Sequence, residues 1–400
     1  MTNFAGKGQV AVLKTKPDSV LDDIEEVMHL GGMESALPKG ITTGLKINIS
    51  WQTWYPACST SPWQLEGAIQ ALQTAGYADL VGVHNDTVVV DTSEGEANNK
   101  HRFVTDKFEI PCLYLYEQDF EWFEYKPKKP LLVLDKVYRD GVFIPRALVG
   151  MNIIQLPTVK THVFTTITGA MKNAFGGLLH RDRHWTHSVI HDTLVDLLMI
   201  QQEIHPGIFA LMDGTFAGDG PGPRAMRWHE KDILLASADQ VAIDAVSAVL
   251  QGFDPMAIRF IRRAHELDLG IGNPNDIEII GYDISNEPAW GFKQEETFAS
   301  RGQRMIYHGP LKPLEKVLLQ SPLVPWAYFA SNFYHNVYWY PFVGRKRVES
   351  ALKTPWGELF AAYGDGGVVM PGVEPKTVLQ GIAGLIALAI LVIVGFVLLV

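Results

Sequence analysis

The chain has 400 residues, 47% hydrophobic and 20% charged, the balance of a protein with a full core rather than a disordered chain. Its formal net charge of −10 argues against a nucleic-acid binder, because such binding neutralises phosphates with lysine and arginine. Cys58 and Cys112 are its two cysteines, too few for an iron–sulfur cluster or a zinc ribbon built by this chain alone, and no disulfide framework.

The first residues, MTNFAGKGQVAVLK, hold no apolar run of the kind a signal peptide needs. GQVAVLK (8–14) reads as a strand, and SVLDDIEEVMHLGG (19–32) as a helix with a serine start and a glycine stop. LKINISW (45–51) is β-like, SPWQLEGAIQALQTAG (61–76) is helical with Ser then Pro at its start, and ADLVGVH (78–84) is a strand. Two more strands are expected at 110–117 and 130–137, and a strand ends the stretch 147–157. Beyond it come a helical run around 188–203, strands at 207–214 and 232–238, helices near 239–251 and 255–267, and a strand at 276–283. Strands alternating with helices give an α/β fold, a mostly parallel sheet with helices on both faces, over residues 1–283.

From 284 the alternation stops. Residues 284–376 are expected to form an aromatic-rich extension, either at a membrane interface or packed on the core. Its segment 317–344 is uncharged over 28 residues, nine of them aromatic. Residues 378–400 carry no charge over 23 positions, enough to span a bilayer, so a single C-terminal transmembrane helix is expected. Arginines and lysines upstream of it predict a membrane protein whose main domain is cytoplasmic.

The chemistry concentrates at KTHVFTTITGAMKN (160–173), which has two lysines, a histidine, four threonines, an asparagine and no acid. It follows a strand, and ligands of open α/β sheets bind beyond the carboxyl ends of strands. Lys160, Thr165, Thr168 and Asn173 are therefore candidates for holding a small anionic ligand, a carboxylate or a phosphate. HRDRHWTHSVIH places His180, His184, His187 and His191 at helical spacing, so His187 and His184 are candidate ligands of a divalent metal. MDGTFAGDGPGP (212–223) reads as a tight loop in which Asp213 or Asp219 could bind a metal, orient a histidine or accept a proton, Asp213 being also a candidate for holding the ligand, and Asp239 suits a helix start. GVHNDT puts His84 at another strand end.

With LKINIS, LPTVKTHVFTTITGAMKNAFGGLL, His187, MDGTFAGDGPGP and SADQVAIDAVSAVLQGFDP in view, the chain resembles the DUF362 family of uncharacterised proteins over roughly residues 8–283. Many members of that family carry a ferredoxin-like cysteine cluster, which this chain lacks, so redox roles resting on it do not transfer. A second resemblance, to the N-terminal domain of the nickel-pincer lactate racemase family, lies in His162, Phe164, Thr168, Gly169 and Lys172, with His187 fifteen residues on and His84 in GVH. It implies that Lys172 contacts a cofactor, that His187 binds a metal, and that His84 and His162 act as acid and base.

Three readings follow. One is an enzyme using His84, His162 and Lys172 for acid–base or metal-assisted chemistry on a small anion. Another is a binding or assembly factor that uses the same pocket and joins a membrane complex. The third is an electron-transfer component borrowing its redox centre from a partner, which two cysteines make the poorest of the three.

Overall fold

The computed structural model describes residues 3–85, 90–117, 119–319 and 331–370. Twelve strands occur among them: β1 (Gln9–Lys14), β2 (Thr43–Ile47), β3 (Leu80–His84), β4 (Cys112–Tyr114), β5 (Trp122–Glu124), β6 (Phe143–Pro145), β7 (Asn152–Leu156), β8 (Thr158–His162), β9 (Thr166–Ile167), β10 (Ile208–Asp219), β11 (Arg227–Ser237) and β12 (Glu278–Gly281). The main sheet runs β12-β1-β11-β10-β7-β2-β3-β4, and β8 joins through β10. Pairing is parallel from β10 through β7, β2 and β3 to β4, and antiparallel where β10, β11 and β1 meet. The fold is thus α/β with a mostly parallel, mixed sheet.

β2 and β7 are buried along their whole length, as strands covered on both faces must be. The helices Val20–Leu30 and Pro62–Thr74 pack in one core, and Gly169–Asn173, Ile190–Ile204 and Gln240–Gln251 supply the others. Pro62–Thr74 starts where expected because Ser61 and Gln64 form a reciprocal capping box. Asp239 caps Gln240–Gln251 through the amides of Val241 and Ala242.

Several expectations need correction. Residues 130–137 end in a short helix, Leu134–Val137, not a strand. The carboxylate of Asp196 gathers the amides of Leu132, Val133 and Leu134 and so fixes a helical start. The stretch after Asp213 is not a loop: β10 continues through Asp219, held by β11 on one side and β8 on the other. Its glycines serve close packing, since a Cβ at Gly214 would meet Ile233 at 2.6 Å. The histidine run is not one stripe. Arg181–Val189 is a 3₁₀-helix, with three residues per turn, and the α-helix begins only at Ile190.

No helix among the described residues is long and apolar enough to cross a membrane, and residues 378–400 lie outside the described residues. The expected C-terminal spanning helix, and the single-pass localisation drawn from it, are therefore not supported. Of the segment 317–344, residues 317–319 and 331–344 are described, and Phe333–Gly344 buries Trp339 and Tyr340. These pack on Trp51 and Tyr55 of the main core, while Phe360 stacks on Trp54 at 4.0 Å.

Candidate functional site

The carboxyl ends of β2, β3 and β8 point to one side of the sheet, and the loops beyond them enclose a cavity of about 310 Å³. Lys46 reaches it from β2, His84 from β3 and His162 from β8. Lys172 and Asn173 come from the helix Gly169–Asn173, Arg183 and His187 from the 3₁₀-helix, and Arg224 from the turn after β10. Apolar walls come from Ile49, Phe164, Phe175 and Tyr307. None of the described lining residues is an aspartate or a glutamate.

The helix that carries Lys172 is positioned by a buried acid. Asp244 accepts hydrogen bonds from Ala170 N at 2.5 Å and Met171 N at 3.1 Å. Gly169 permits this: its φ is +71°, and a Cβ there would sit 2.3 Å from the Asp244 carboxylate. Asn173 is pinned through Nδ2 to Lys46 O and Gln155 Oε1.

Burial without counter-charge depresses the cations. Desolvation lowers Lys46 from 10.5 to about 7 and Lys172 to about 8, and Arg183 adds repulsion to both. Lys160 falls to about 7 for the same first cause. Lys46 Nζ donates to Ile47 O, whereas the Lys172 ammonium has the Phe175 ring, 5.5 Å away. Thr168 Oγ1 is buried with no hydrogen-bond partner among the described residues.

Burial keeps His162 and His187 neutral, and their partners fix their tautomers. His162 is held well below 6.5 by burial and by Lys172. Its Nδ1 accepts the backbone amides of Phe164 at 3.1 Å and Thr165 at 3.4 Å, so the hydrogen must be on Nε2. His187 is pushed down to about 3 by burial and Lys172. Its Nδ1 lies 3.0 Å from His184 O, which can only accept, so Nε2 keeps the lone pair. The two rings offer opposite chemistry: an N–H donor and a lone-pair acceptor.

The cavity thus unites His84, His162, Thr168, Lys172, Asn173, His184 and His187 of the expected set. It does not include Lys160, Thr165 or Asp213. Lys160 lies behind it, with Nζ bonded to Cys58 O and Thr158 Oγ1. Thr165 closes a local turn on Ile167 O. Asp213 is occupied by Ser61 Oγ, Trp63 Nε1 and Thr215 N, and burial raises it above the usual carboxylate range. His184 Nε2 bonds Leu319 O, and neither His184 nor His187 belongs to a group of three metal-type ligands among the described residues. His180 and His191 diverge to Trp122 and Phe260.

Sequence reasoning missed Lys46, Arg183 and Arg224. Lys46 was legible in principle, as a lysine inside an apolar strand beside KTH at the same sheet edge. Residues 43–249, half of the chain, match the family described as Domain of unknown function (DUF362). The chain belongs to the DUF362 family. Within it, the thylakoid-associated protein sll1697 of Synechocystis sp. is 26% identical over 259 residues, covering 62% of this chain and 74% of that protein. No solved structure matches. The family match includes every wall of the cavity up to Arg224, and leaves outside it the part lined by residues 297–335. The further resemblance to nickel-pincer lactate racemases is not shown by these comparisons.

Proposed function

We propose that this DUF362 protein is an enzyme that binds a small organic anion in the cavity and moves a proton on it. The observation that carries the reading is the pair Lys46 and Lys172, with Arg224 beside them, around one cavity whose described lining has no acid. Buried cations without carboxylates are costly, and an anionic ligand offsets that cost. The apolar wall opposite suits the carbon skeleton of a carboxylate or phosphate ester.

In this reading the lysines and arginines hold the anionic group, and Thr168 Oγ1 supplies a further hydrogen bond. Lys172, with a pKa of about 8, is the group that gives or takes the proton, His162 Nε2–H is a neutral donor for developing negative charge, and the His187 Nε2 lone pair accepts a hydrogen bond from the ligand. His84 stands at the far wall. The expected divalent metal remains compatible with the His187 Nε2 lone pair, which is the form a metal takes. A second reading, a carrier that binds the anion for a membrane complex without chemistry, is favoured by the thylakoid association of the relative.

The test is thermal unfolding against a panel of small carboxylates and phosphates, each beside its neutral amide or alcohol. At 100 times Kd an anion should stabilise the native state by about 2.7 kcal/mol, and neutral analogues should not. If no anion raises the midpoint, or if Lys46→Met and Lys172→Met respond like the native chain, the reading fails. Solvent-hydrogen exchange into the bound anion separates the enzyme from the carrier.

A further inference from the structure

A second cluster shares His84 with the far wall of the cavity, and its other members, Glu96 and Cys112, are not used by the reading above. β3 and β4 pair in parallel, with Gly82 opposite Cys112 and His84 opposite Tyr114. Gly82 and His84 share one face of β3. The missing side chain at Gly82 leaves the space that Cys112 Sγ fills, only 2.7 Å from where a Cβ would stand. The helix Thr92–Asn98, capped by Asp91, lays Glu96 over the same spot. One ligand atom each from His84, Glu96 and Cys112 falls within 4.8 Å of the others, the single such trio among the described residues.

We propose that His84, Glu96 and Cys112 form a buried site for one divalent transition-metal ion of the zinc type. Three observations carry this. His84 and Glu96 are 1% and 2% exposed and Cys112 is partly buried, so two of the three ligands are shielded from water. His84 Nε2 stands 2.8 Å from Glu96 Oε1, close enough to interact but poorly aligned for a hydrogen bond, so the two ligand atoms already face one point. The other carboxylate oxygen, Oε2, is held by Tyr114 Oη at 3.2 Å and by Arg102 at 3.3 Å, which orients the carboxylate as second-layer partners of a metal ligand do.

The donor set decides the class of ion. One nitrogen, one thiolate and one carboxylate oxygen suit zinc or cobalt, whereas magnesium and calcium take oxygen alone. Tetrahedral zinc spaces such donors roughly 3.3–3.5 Å apart, so the His84–Glu96 pair would open by about half an ångström. Among the described residues Arg102 is the cation in contact with the cluster, and its side chain is 46% exposed, so water screens its repulsion; Lys46 acts on His84 from further off.

The experiment is cobalt titration of the full chain after chelation, read by absorption. One equivalent per chain should bind with a thiolate-to-cobalt charge-transfer band. Cys112→Ser should abolish that band, Glu96→Gln should weaken binding at least tenfold, and His29→Ala, an exposed histidine outside both sites, should leave it unchanged. No stoichiometric binding, or a band that survives Cys112→Ser, overturns the site. Because Cys112→Ser could unfold, the native chain is also alkylated with and without zinc. Zinc should slow modification of Cys112 at least tenfold; an unchanged rate overturns the proposal as well.

Discussion

Asp239 and Lys46 are both buried charged residues, 0% and 5% exposed, yet their surroundings differ in kind. Asp239 receives four backbone amides, from Gly8, Val241, Ala242 and Ile271, all at 2.9–3.0 Å. Lys46 gives one hydrogen bond, to the carbonyl of the next residue, and faces Arg183 across the cavity. The same division runs through the molecule. Asp196 and Asp213 are each knitted to three groups, among them amides, a hydroxyl and an indole; among the described residues Lys46 and Lys172 have fewer partners and no carboxylate bonded to them. A charge whose partners are complete holds the fold together. A charge whose partners are incomplete is waiting for something the fold does not contain.

Substitutions should separate the two groups, and the largest effect belongs to the acid. Asp239→Ala strands four buried amides that link β1, the helix Gln240–Gln251 and the loop at Ile271. Urea unfolding should show a loss of about 3–4 kcal/mol. A loss under 1 kcal/mol would break the comparison. Gly169→Ala comes next. It drives a methyl into the Asp244 carboxylate and strains a residue at φ +71°, so it should cost about 2 kcal/mol and, by shifting Lys172, weaken anion binding too. Loss of stability with unchanged affinity would show that the helix does not position the lysine.

Lys46→Met should have the opposite sign for stability. Removing an unpaired buried charge should stabilise the chain by about 1–3 kcal/mol at pH 6, while anion affinity falls at least tenfold. Stability traded against binding marks a functional charge. If Lys46→Met destabilises at pH 6, the lysine belongs with the structural acids.

The alternation of strands and helices was legible because periodicity and turn residues are local. So were the Ser61 cap and the helix-start role of Asp239. The site was legible only where one segment carried it. KTH and MKN announced themselves by lacking an acid, and His84 by ending a strand. Arg224 and Lys46 come to the cavity from separate elements, and no local pattern shows that they converge. Asp213 misled for a physical reason: glycines after an acid suggest a loop, but here they let β10 run between two neighbours at close range. The histidine spacing misled because a 3₁₀ turn places residues three apart in register, so 184 and 187 face together while 180 and 191 diverge.

The smallest effect is the sharpest test, since it needs no substitution. Lys46, Lys160 and Lys172 have folded pKa values of about 7, 7 and 8 against an ordinary 10.5. Between these limits the unfolded chain binds protons that the folded one lacks, so their contribution to stability rises with pH from about 7 to 10. A bound anion favours the charged lysines and reverses their shift. At pH 7 much of that charge is already present. At pH 9 each lysine that meets the anion must take up a proton, and affinity should drop by up to about tenfold per pH unit for each. Titration calorimetry at pH 9, in two buffers of different ionisation enthalpy, should therefore record proton uptake of one or more per anion. The acids give no such signal, because the cavity does not reach them. Equal affinity at pH 7 and 9 with no proton uptake would mean that the buried lysines are already fully satisfied, and the distinction between the two sets of charges would disappear.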